Sequence, residues 1–328
     1  MLHLEFSSAD LTRVRVADTP HPLWELALAI NSLQAPDLPP RYWSWRTAIR
    51  RGRRQDHGHG RLLAAAATLV PASGNFPDFL TPPLGDHDVA RHLDTILSVP
   101  RSQLRADLSR TFHSRSAVPR WAQNLYRHGR SAGIVNVLRN AYPLLVEPVN
   151  ALAMQHIAAG RARYARLLLD GGTDHLLANL HPSIRWGNQV LEGDYPVERT
   201  IDLAGRGVVI TPAYFCWGAP VTFIDADLPP VLVVPIEADD TVADPAASAT
   251  SHAEDHLGRL VGATRARLLA ELSIARSTSD LAARLKVTQA AVSQHTKVLR
   301  EAKLIITARF GKSVRHSLSP LGCELLRS

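Results

Sequence analysis

Apolar residues recur at helical spacing through most of the first 195 positions. One predicted helix stops before Pro100 and carries four apolar residues on one side: Val89, Leu93, Ile96 and Leu97. A second helix is predicted to begin after Pro148 and to stop at Gly171-Gly172, because glycine commonly follows the last turn of a helix. This part of the chain is therefore expected to be mostly helical.

The pattern changes near residue 195. Short runs rich in β-branched residues, separated by Gly and Pro, predict a few strands at 200–203, 208–211 and 231–235. Residues 237–255 then carry six acidic side chains, no Lys or Arg, and a tract of small residues, which is typical of a linker. Since 328 residues exceed the usual size of one domain, we predict an N-terminal domain over 1–236 and a C-terminal domain over 256–328.

Two helices are predicted early in the C-terminal domain. Thr264 is expected to cap the first helix. A hydroxyl in Ser277-Thr278-Ser279, with Asp280 near the positive helix start, is expected to initiate the second. Their inner faces are expected to consist of leucines: Leu268, Leu269, Leu272, Leu281 and Leu285. A tight turn at Lys286-Val287 follows.

A third helix, over 289–302, separates cleanly into two arcs at 100° per residue, with Thr288 as its cap. One arc is expected to face the core: Ala291, Val292, His295, Val298 and Leu299. The other is small and polar, then basic: Gln289, Ala290, Ser293, Gln294, Lys297 and Arg300. Small residues let a helix enter the major groove, Gln and Ser reach base edges, and Lys and Arg meet phosphates. A solvated face is the alternative, but such faces mix Glu with Lys, and here only Glu301 is acidic.

A β-hairpin is predicted directly after this helix, with strands at about 305–310 and 314–318 and a turn at 311–313. Alternation predicts inward positions at Ile306, Ala308, Phe310, Val314, His316 and Leu318. Arg309, Lys312 and Arg315 are expected to project towards flanking phosphates or the minor groove. We therefore predict an α+β, mainly helical fold: a large helical N-terminal domain with a few strands, followed by a winged helix-turn-helix.

Charge supports this assignment once it is divided by region. Residues 252–328 contain 13 Lys and Arg but six Asp and Glu, whereas the first 251 residues contain 24 of each. The whole net charge of +7 therefore falls in the C-terminal quarter. A basic module attached to a neutral body is typical of a nucleic-acid-binding protein with a separate second domain.

These motifs resemble the ArsR/SmtB family of bacterial repressors. The resemblance rests on Leu281-Ala282, the run 291–295, the run 298–302 and Gly311-Lys312. It implies a homodimer that binds an inverted-repeat operator in double-stranded DNA and releases it when a small-molecule effector binds. Together with the helix and hairpin patterns, it gives these DNA-binding residues: Thr288, Gln289, Ala290, Ser293, Gln294, His295, Lys297, Arg300, Arg309, Lys312 and Arg315. The chain departs from the family at Lys303, where Gly is common, and at His316, where Tyr is common.

The family's metal sensing is not expected to carry over. Its Cys-containing motif would fall on 277–285, which has no Cys or His, and the terminal helix of other members has only 320–328 to occupy. Cys216 and Cys323 lie far apart in sequence, so no disulfide framework is expected. Cys323 alone cannot supply the grouped thiolates or imidazoles that a soft metal ion requires, and neither a metal ion nor another cofactor is predicted. The effector is unidentified.

Histidine and arginine clusters in the N-terminal domain each allow two interpretations. His57 and His59 are favoured as part of a mobile basic loop over a metal site. The neighbouring arginines are favoured as a solvated helix face paired with local carboxylates, over a contact with DNA beyond the operator: Arg50, Arg51, Arg53 and Arg54.

The remaining N-terminal motifs give architecture but little chemistry. Residues 75–83, 180–186 and 205–208 resemble a domain of unknown function that precedes some ArsR-type regulators. The aromatic cluster 214–217 is favoured as core packing over the lining of an apolar pocket. No nucleophile elbow, phosphate loop or dinucleotide fingerprint is present, so an enzyme is disfavoured, with an N-terminal enzyme fused to a DNA-binding tail as the alternative. With neither a secretory signal nor a membrane span apparent, a cytoplasmic protein is expected.

Overall fold

The computed structural model describes residues 1–72, 74–83, 85, 87–112, 118–195, 198–236, 261–272, 276–285, 287–310 and 313–325. The predicted linker 237–255 lies outside these ranges. The chain divides into two units. The first comprises Met1–Pro36 and Ala48–Val242, and the second comprises Asp37–Thr47 and Ala243–Ser328.

Helices dominate the chain before residue 184. They are α1 (Ser8–Leu11), α2 (Pro22–Gln34), α3 (Trp43–Gln55), α4 (His57–Leu69), α5 (Val89–Ser98), α6 (Arg101–Thr111), α7 (Arg120–His128), α8 (Ala132–Leu145) and α9 (Asn150–Ala178). The predicted helix before Pro100 is α5. The predicted stop at Gly171-Gly172 is a kink inside α9, where Gly172 adopts a φ of 71°, and helical structure continues to Ala178.

Eight short strands belong to the described part of the chain before residue 237. They are β1 (Leu2–Glu5), β2 (Arg15–Val16), β3 (Ile184–Gly187), β4 (Val190–Gly193), β5 (Arg199–Asp202), β6 (Val209–Ala213), β7 (Val221–Thr222) and β8 (Val231–Pro235). β5, β6 and β8 correspond to the three predicted strands. The expectation that the first 195 residues are mostly helical missed β1 to β4, since each has two to four residues and is completed by distant partners.

The strands form two four-stranded sheets, ordered β3-β4-β1-β5 and β2-β6-β8-β7. In the first sheet Leu4 pairs with Leu191 in the antiparallel neighbour and with Ile201 in the parallel neighbour. These apolar residues join one buried core with Tyr164 and Leu176 of α9. The long helix therefore covers the apolar side of the strands.

Two buried carboxylates tie N-terminal helices to segments almost 200 residues away. Asp10 in α1 accepts a hydrogen bond from the N–H of Gly207 at 2.8 Å. Glu25 in α2, which is 4% exposed, accepts from the N–H groups of Tyr214 and Phe215 at 2.7 and 3.0 Å. Backbone donors that point at a buried carboxylate offset the cost of removing its charge from water.

A second carboxylate pair joins three more segments. Asp107 of α6 accepts from the N–H groups of Asp78 and Phe79 at 3.2 and 2.7 Å. The Asp78 carboxyl in turn accepts from the N–H groups of Ile224 and Asp225 at 2.8 and 2.7 Å. Burial and the nearby Asp107 raise the pKa of Asp78 to about 7, and burial also raises the pKa of Asp107. α6, the 3₁₀ turn Asp78–Leu80 and the loop after β7 are therefore held in one arrangement.

The C-terminal part of the second unit contains four helices and three strands within its described residues. They are α10 (Ala263–Glu271), β9 (Arg276–Ser277), α11 (Thr278–Leu285), α12 (Gln289–Glu301), β10 (Ile305–Phe310), β11 (Ser313–Leu318) and α13 (Pro320–Leu325). The strands form an antiparallel sheet ordered β10-β11-β9. Leucines predicted to face inward are buried together with Val292 and Leu299: Leu268, Leu269, Leu272, Leu281 and Leu285. The α+β, mainly helical fold with a C-terminal winged helix-turn-helix is confirmed.

Candidate nucleic-acid interface

Helix α12, the third helix predicted in the C-terminal domain and called the recognition helix below for its predicted role, begins at a side-chain cap. Thr288 has an extended backbone, and its hydroxyl accepts a hydrogen bond from the N–H of Ala291 at 3.2 Å. This bond satisfies one of the N–H groups that the first turn of a helix leaves unpaired. The cap predicted at Thr288 is therefore confirmed, and it fixes where the helix starts.

The two arcs of α12 differ in exposure. All six residues of the predicted outer arc are exposed: Gln289, Ala290, Ser293, Gln294, Lys297 and Arg300. On the inner arc Val292 and Leu299 are buried, while Ala291 and His295 are half-buried at its margin. The outer arc thus forms a continuous exposed surface of small, amide, hydroxyl and basic groups.

One position of the predicted inner arc is wrong. Val298 is 37% exposed, whereas Thr296, which was not assigned to the core, is 2% exposed. The Thr296 hydroxyl donates to the carbonyl of Ser293 at 3.1 Å, so its burial leaves no polar group unpaired. Helical periodicity could not separate these neighbours, because a back-bonded threonine packs much as a valine does.

α11 precedes the recognition helix and starts at a reciprocal cap. The Ser277 hydroxyl accepts from the N–H of Asp280 at 3.1 Å, and the Asp280 carboxylate accepts from the N–H of Ser277 at 3.2 Å. Hydrogen bonding to Ser277 lowers the pKa of Asp280. The cap expected at Thr264 for α10 is wrong, since that helix already begins at Ala263 behind Gly262.

The hairpin β10–β11 forms at the predicted place, but two of its predicted inward positions are exposed. Ile305 is buried and Ile306 is 51% exposed, and Val314 is also 38% exposed. The register pairs Ile305 with Leu318 and Thr307 with His316, so these positions share the face towards the core. The inward positions predicted at His316 and Leu318 are confirmed. The prediction for Ile306 is wrong because two isoleucines stand side by side, and a shift of one residue exchanges the two faces of a strand.

His316 links the hairpin to the helical part of this unit. It is 4% exposed, and its Nε2 and Nδ1 lie 3.1 and 3.0 Å from the hydroxyls of Thr278 and Thr307. Burial, followed by the charge of Arg300, lowers the pKa of His316, so the ring is neutral at pH 7. His316 therefore fastens β11 to the start of α11 and to β10.

Basic residues of the hairpin continue the candidate interface. Arg315 is exposed, and the register pairs it with position 308, whereas Val314 pairs with Arg309. Arg309 belongs to β10. Lys312 and the turn glycine lie outside the described residues, so their predicted contacts with DNA stay predictions.

The departure from the family at Lys303 has a structural counterpart. Lys303 follows α12 with a φ of 58°, a left-handed conformation that glycine adopts without strain. Its N–H donates to the carbonyl of Arg300 at 2.9 Å, as in a helix-terminating turn. This chain therefore places a lysine where the backbone favours glycine.

The N-terminal histidines and arginines lie on helices. His57 and His59 form the first turn of α4, where the Asp56 carboxylate accepts from the N–H of Gly58 at 2.6 Å. The expectation of a mobile loop is therefore wrong, because Asp56 caps a helix there. The four arginines are exposed on α3, and none forms an ion pair with a carboxylate in the described chain: Arg50, Arg51, Arg53 and Arg54. The predicted pairing with local carboxylates is not present there.

The described residues contain neither a metal-ligand cluster nor a helix suited to span a membrane. No group of three or more His, Cys, Asp or Glu side chains in them is arranged to hold a metal ion. Among the same residues no helix has the length and apolar character that crossing a membrane requires.

Comparison with known proteins agrees with the geometry at the C-terminal end. The family model described as "bacterial regulatory protein, arsR family" matches residues 264–307, which span α10, α11, α12 and the start of β10. No curated protein and no solved structure matches the chain. The family model covers none of residues 1–263. Residues 264–307 are thus an ArsR-family helix-turn-helix domain, which indicates DNA-binding transcriptional regulation.

Proposed function

We propose that this protein is a cytoplasmic transcription repressor that binds an inverted-repeat operator as a homodimer and releases it when a non-metal effector binds the N-terminal unit. The exposed outer arc of α12 carries the proposal. It presents Ser293 and Gln294 for base edges and Lys297 and Arg300 for phosphates, on a helix whose opposite side is anchored by Val292 and Leu299. A major groove about 12 Å wide accepts such a helix.

A second copy of the chain would supply the second half-site. Two recognition helices related by a twofold axis meet successive major grooves when they lie about 34 Å apart, which matches an inverted repeat. An effector would release DNA if it favoured a different separation of the two helices. Sedimentation of the free protein and of its operator complex tests the stoichiometry: two chains per operator duplex are expected, and one chain would contradict the dimer.

The base-reading assignment is tested by comparing substitutions on one helix. Gln294→Ala is expected to weaken operator binding while leaving random duplexes nearly unaffected, because a base contact contributes about 1–3 kcal/mol of discrimination. Lys297→Ala should weaken both duplexes alike and reduce the salt dependence by about one counterion. Titrations at several salt concentrations measure both quantities.

Arg267→Ala serves as the charge-matched control for Lys297→Ala. Arg267 is exposed on α10, so its loss removes one positive charge from the same unit without touching α12. The control should bind operator nearly as the native chain does. Equal losses in Gln294→Ala and Lys297→Ala on operator and random DNA would contradict the assignment of the outer arc.

We further propose that the N-terminal unit binds its ligand without turning it over. Support comes from the absence of any recognised catalytic motif in the sequence. The competing possibility is an enzyme fused to the DNA-binding tail. Turnover in a metabolite screen of the full chain would favour the enzyme, whereas binding without product would favour the sensor.

A further inference from the structure

The first unit contains a cavity of about 200 Å³ that the proposed function does not yet explain. Aromatic side chains form much of its lining: Trp24, Phe76, Tyr195, Phe215 and Trp217. An apolar cavity of about 150 Å³ can hold a benzene molecule, so this volume suits a ligand of one ring with small substituents. Tyr214, Phe215 and Cys216 are at most 3% exposed, so the core packing favoured for this cluster is confirmed, and Phe215 and Trp217 also border the cavity.

Polar groups without protein partners also lie in this lining. The Tyr195 hydroxyl and the Asn75 side-chain amide make no hydrogen bond to any residue whose position is described. Asn31 donates from Nδ2 to the carbonyls of Pro71 and Ala72 at 2.8 and 3.1 Å, which leaves its Oδ1 as an acceptor. An aromatic enclosure with a few polar groups is the usual composition of a small-molecule site.

The charge of the lining disfavours anionic ligands. No Lys, Arg or His is among the described residues that border the cavity, and Asp78 is the one carboxyl group there. Both Asp78 oxygens already accept backbone N–H bonds from Ile224 and Asp225. The nearby Arg199 guanidinium acts on Tyr195 and Asp78 from outside the lining and donates to the carbonyl of Ile224. An anion entering this space would therefore form no direct ion pair with the lining, and burying an unpaired charge is costly.

The walls of the cavity are fixed before any ligand arrives. Glu25 holds the backbone at Phe215, and Asp78 holds the backbone at Ile224. Trp217 donates its ring N–H to the Ser32 hydroxyl at 3.0 Å, which orients the indole. Because the cavity is preformed, the protein loses less conformational entropy when a ligand binds.

We propose that this cavity binds an uncharged, planar aromatic molecule of one ring that carries hydrogen-bonding substituents. Tyr195 and Asn75 would bond the substituents, and the aromatic walls would enclose the ring. The further assignment of this cavity as the effector site rests on the function proposed above.

The test uses a pair of small molecules that differ in charge but not in shape. 4-Hydroxybenzamide is neutral and 4-hydroxybenzoate is an anion at pH 7.5. Titration calorimetry of the full chain is expected to show one-to-one binding of the amide with a Kd up to about 1 mM, as befits a ligand of ten heavy atoms. The benzoate should bind at least about tenfold more weakly.

Three variants locate the binding. Ala219→Leu adds bulk to the lining and should abolish binding of the amide. Tyr195→Phe should weaken it roughly threefold to tenfold, the effect of one hydrogen bond. Tyr126→Phe removes a hydroxyl from an exposed tyrosine outside the lining and should change nothing. Circular dichroism of each variant confirms that it is folded.

Each result decides the proposal. No saturable binding of 4-hydroxybenzamide at several millimolar, equal affinity for the benzoate, or binding unchanged in a folded Ala219→Leu protein would overturn it. Operator titrations on the same samples separate the two claims. A chain that binds operator but not the amide refutes the cavity, whereas one that binds the amide but no DNA refutes the proposed regulator.

Discussion

Asp78 makes the stability of the first unit fall as pH rises. Burial and the nearby Asp107 raise its pKa from 3.8 to about 7, so between these values the folded chain keeps a proton that the unfolded chain releases. The contribution of Asp78 to the free energy of unfolding is full below about pH 4 and is lost as the pH approaches 7. One pKa unit corresponds to about 1.4 kcal/mol, and the folded carboxyl is half ionised at pH 7. The expected loss between pH 5 and pH 7 is therefore about 2 kcal/mol.

Replacing Asp78 with Asn removes this proton exchange and should flatten the dependence. Urea unfolding followed by tryptophan fluorescence at pH 5, 6 and 7 measures it. Four of the six tryptophans lie in the first unit, Trp43 and Trp45 lie in the 37–47 segment of the second, and none lies in α10 to α13. The native chain should lose roughly 1 M in urea midpoint over this range, given a typical urea slope of about 2 kcal/mol per molar.

Asp94→Asn is the control, because Asp94 is exposed on α5. That variant should keep the native pH dependence. Stability of the native chain that rises from pH 5 to pH 7, or an Asp78→Asn chain with the native slope, would refute the reasoning. Burial also raises the pKa of Asp107, so a small residual slope of the same sign is expected in Asp78→Asn.

Three further predictions concern the second unit. Lys303→Gly should raise the thermal stability of this unit by about 1 kcal/mol, because glycine adopts the left-handed backbone there without strain, and a lowered midpoint would contradict this. Gly322→Ala should lower the thermal midpoint of this unit, since a Cβ at Gly322 would collide with the backbone of Leu304. Gly133→Ala, on the open surface of α8 in the first unit, should leave that midpoint unchanged, and equal midpoints for the two variants would be contrary evidence. Adding zinc or a chelator should leave operator affinity unchanged, and a metal-dependent shift in a gel-shift titration would show a metal site.

The helices in the C-terminal part of the second unit could be predicted from sequence, because the signals that define them are local. Thr288 and Ser277 cap helices through bonds that span three residues, and the apolar spacing of α12 repeats within a few turns. Such features depend on neighbours in sequence. Errors arose where the pattern was ambiguous, as between Ile305 and Ile306, or where tertiary packing decided burial, as at Thr296.

The cavity could not be predicted in the same way. Its lining comes from residues near positions 24–31, 72–78, 195 and 215–224, and only folding brings these together. The aromatic cluster 214–217 gave a partial signal, because aromatic residues beside strands occur in both cores and pockets. The roles of Glu25 and Asp78 had no sequence signature, since a carboxylate that binds distant backbone N–H groups looks like any other acidic residue.

The buried carboxylates also bear on the order in which the two units form during synthesis. Asp10, Glu25 and Asp78 bond backbone groups 197, 189 and 146 residues further along the chain. The ribosome must therefore release almost the whole first unit before these bonds close, and contacts of such long range slow folding. In the second unit the His316 contact with Thr278 spans 38 residues. The DNA-binding helices, although made after the first unit, are thus expected to fold soon after they emerge, whereas the first unit folds only once its own C-terminal strands have been made.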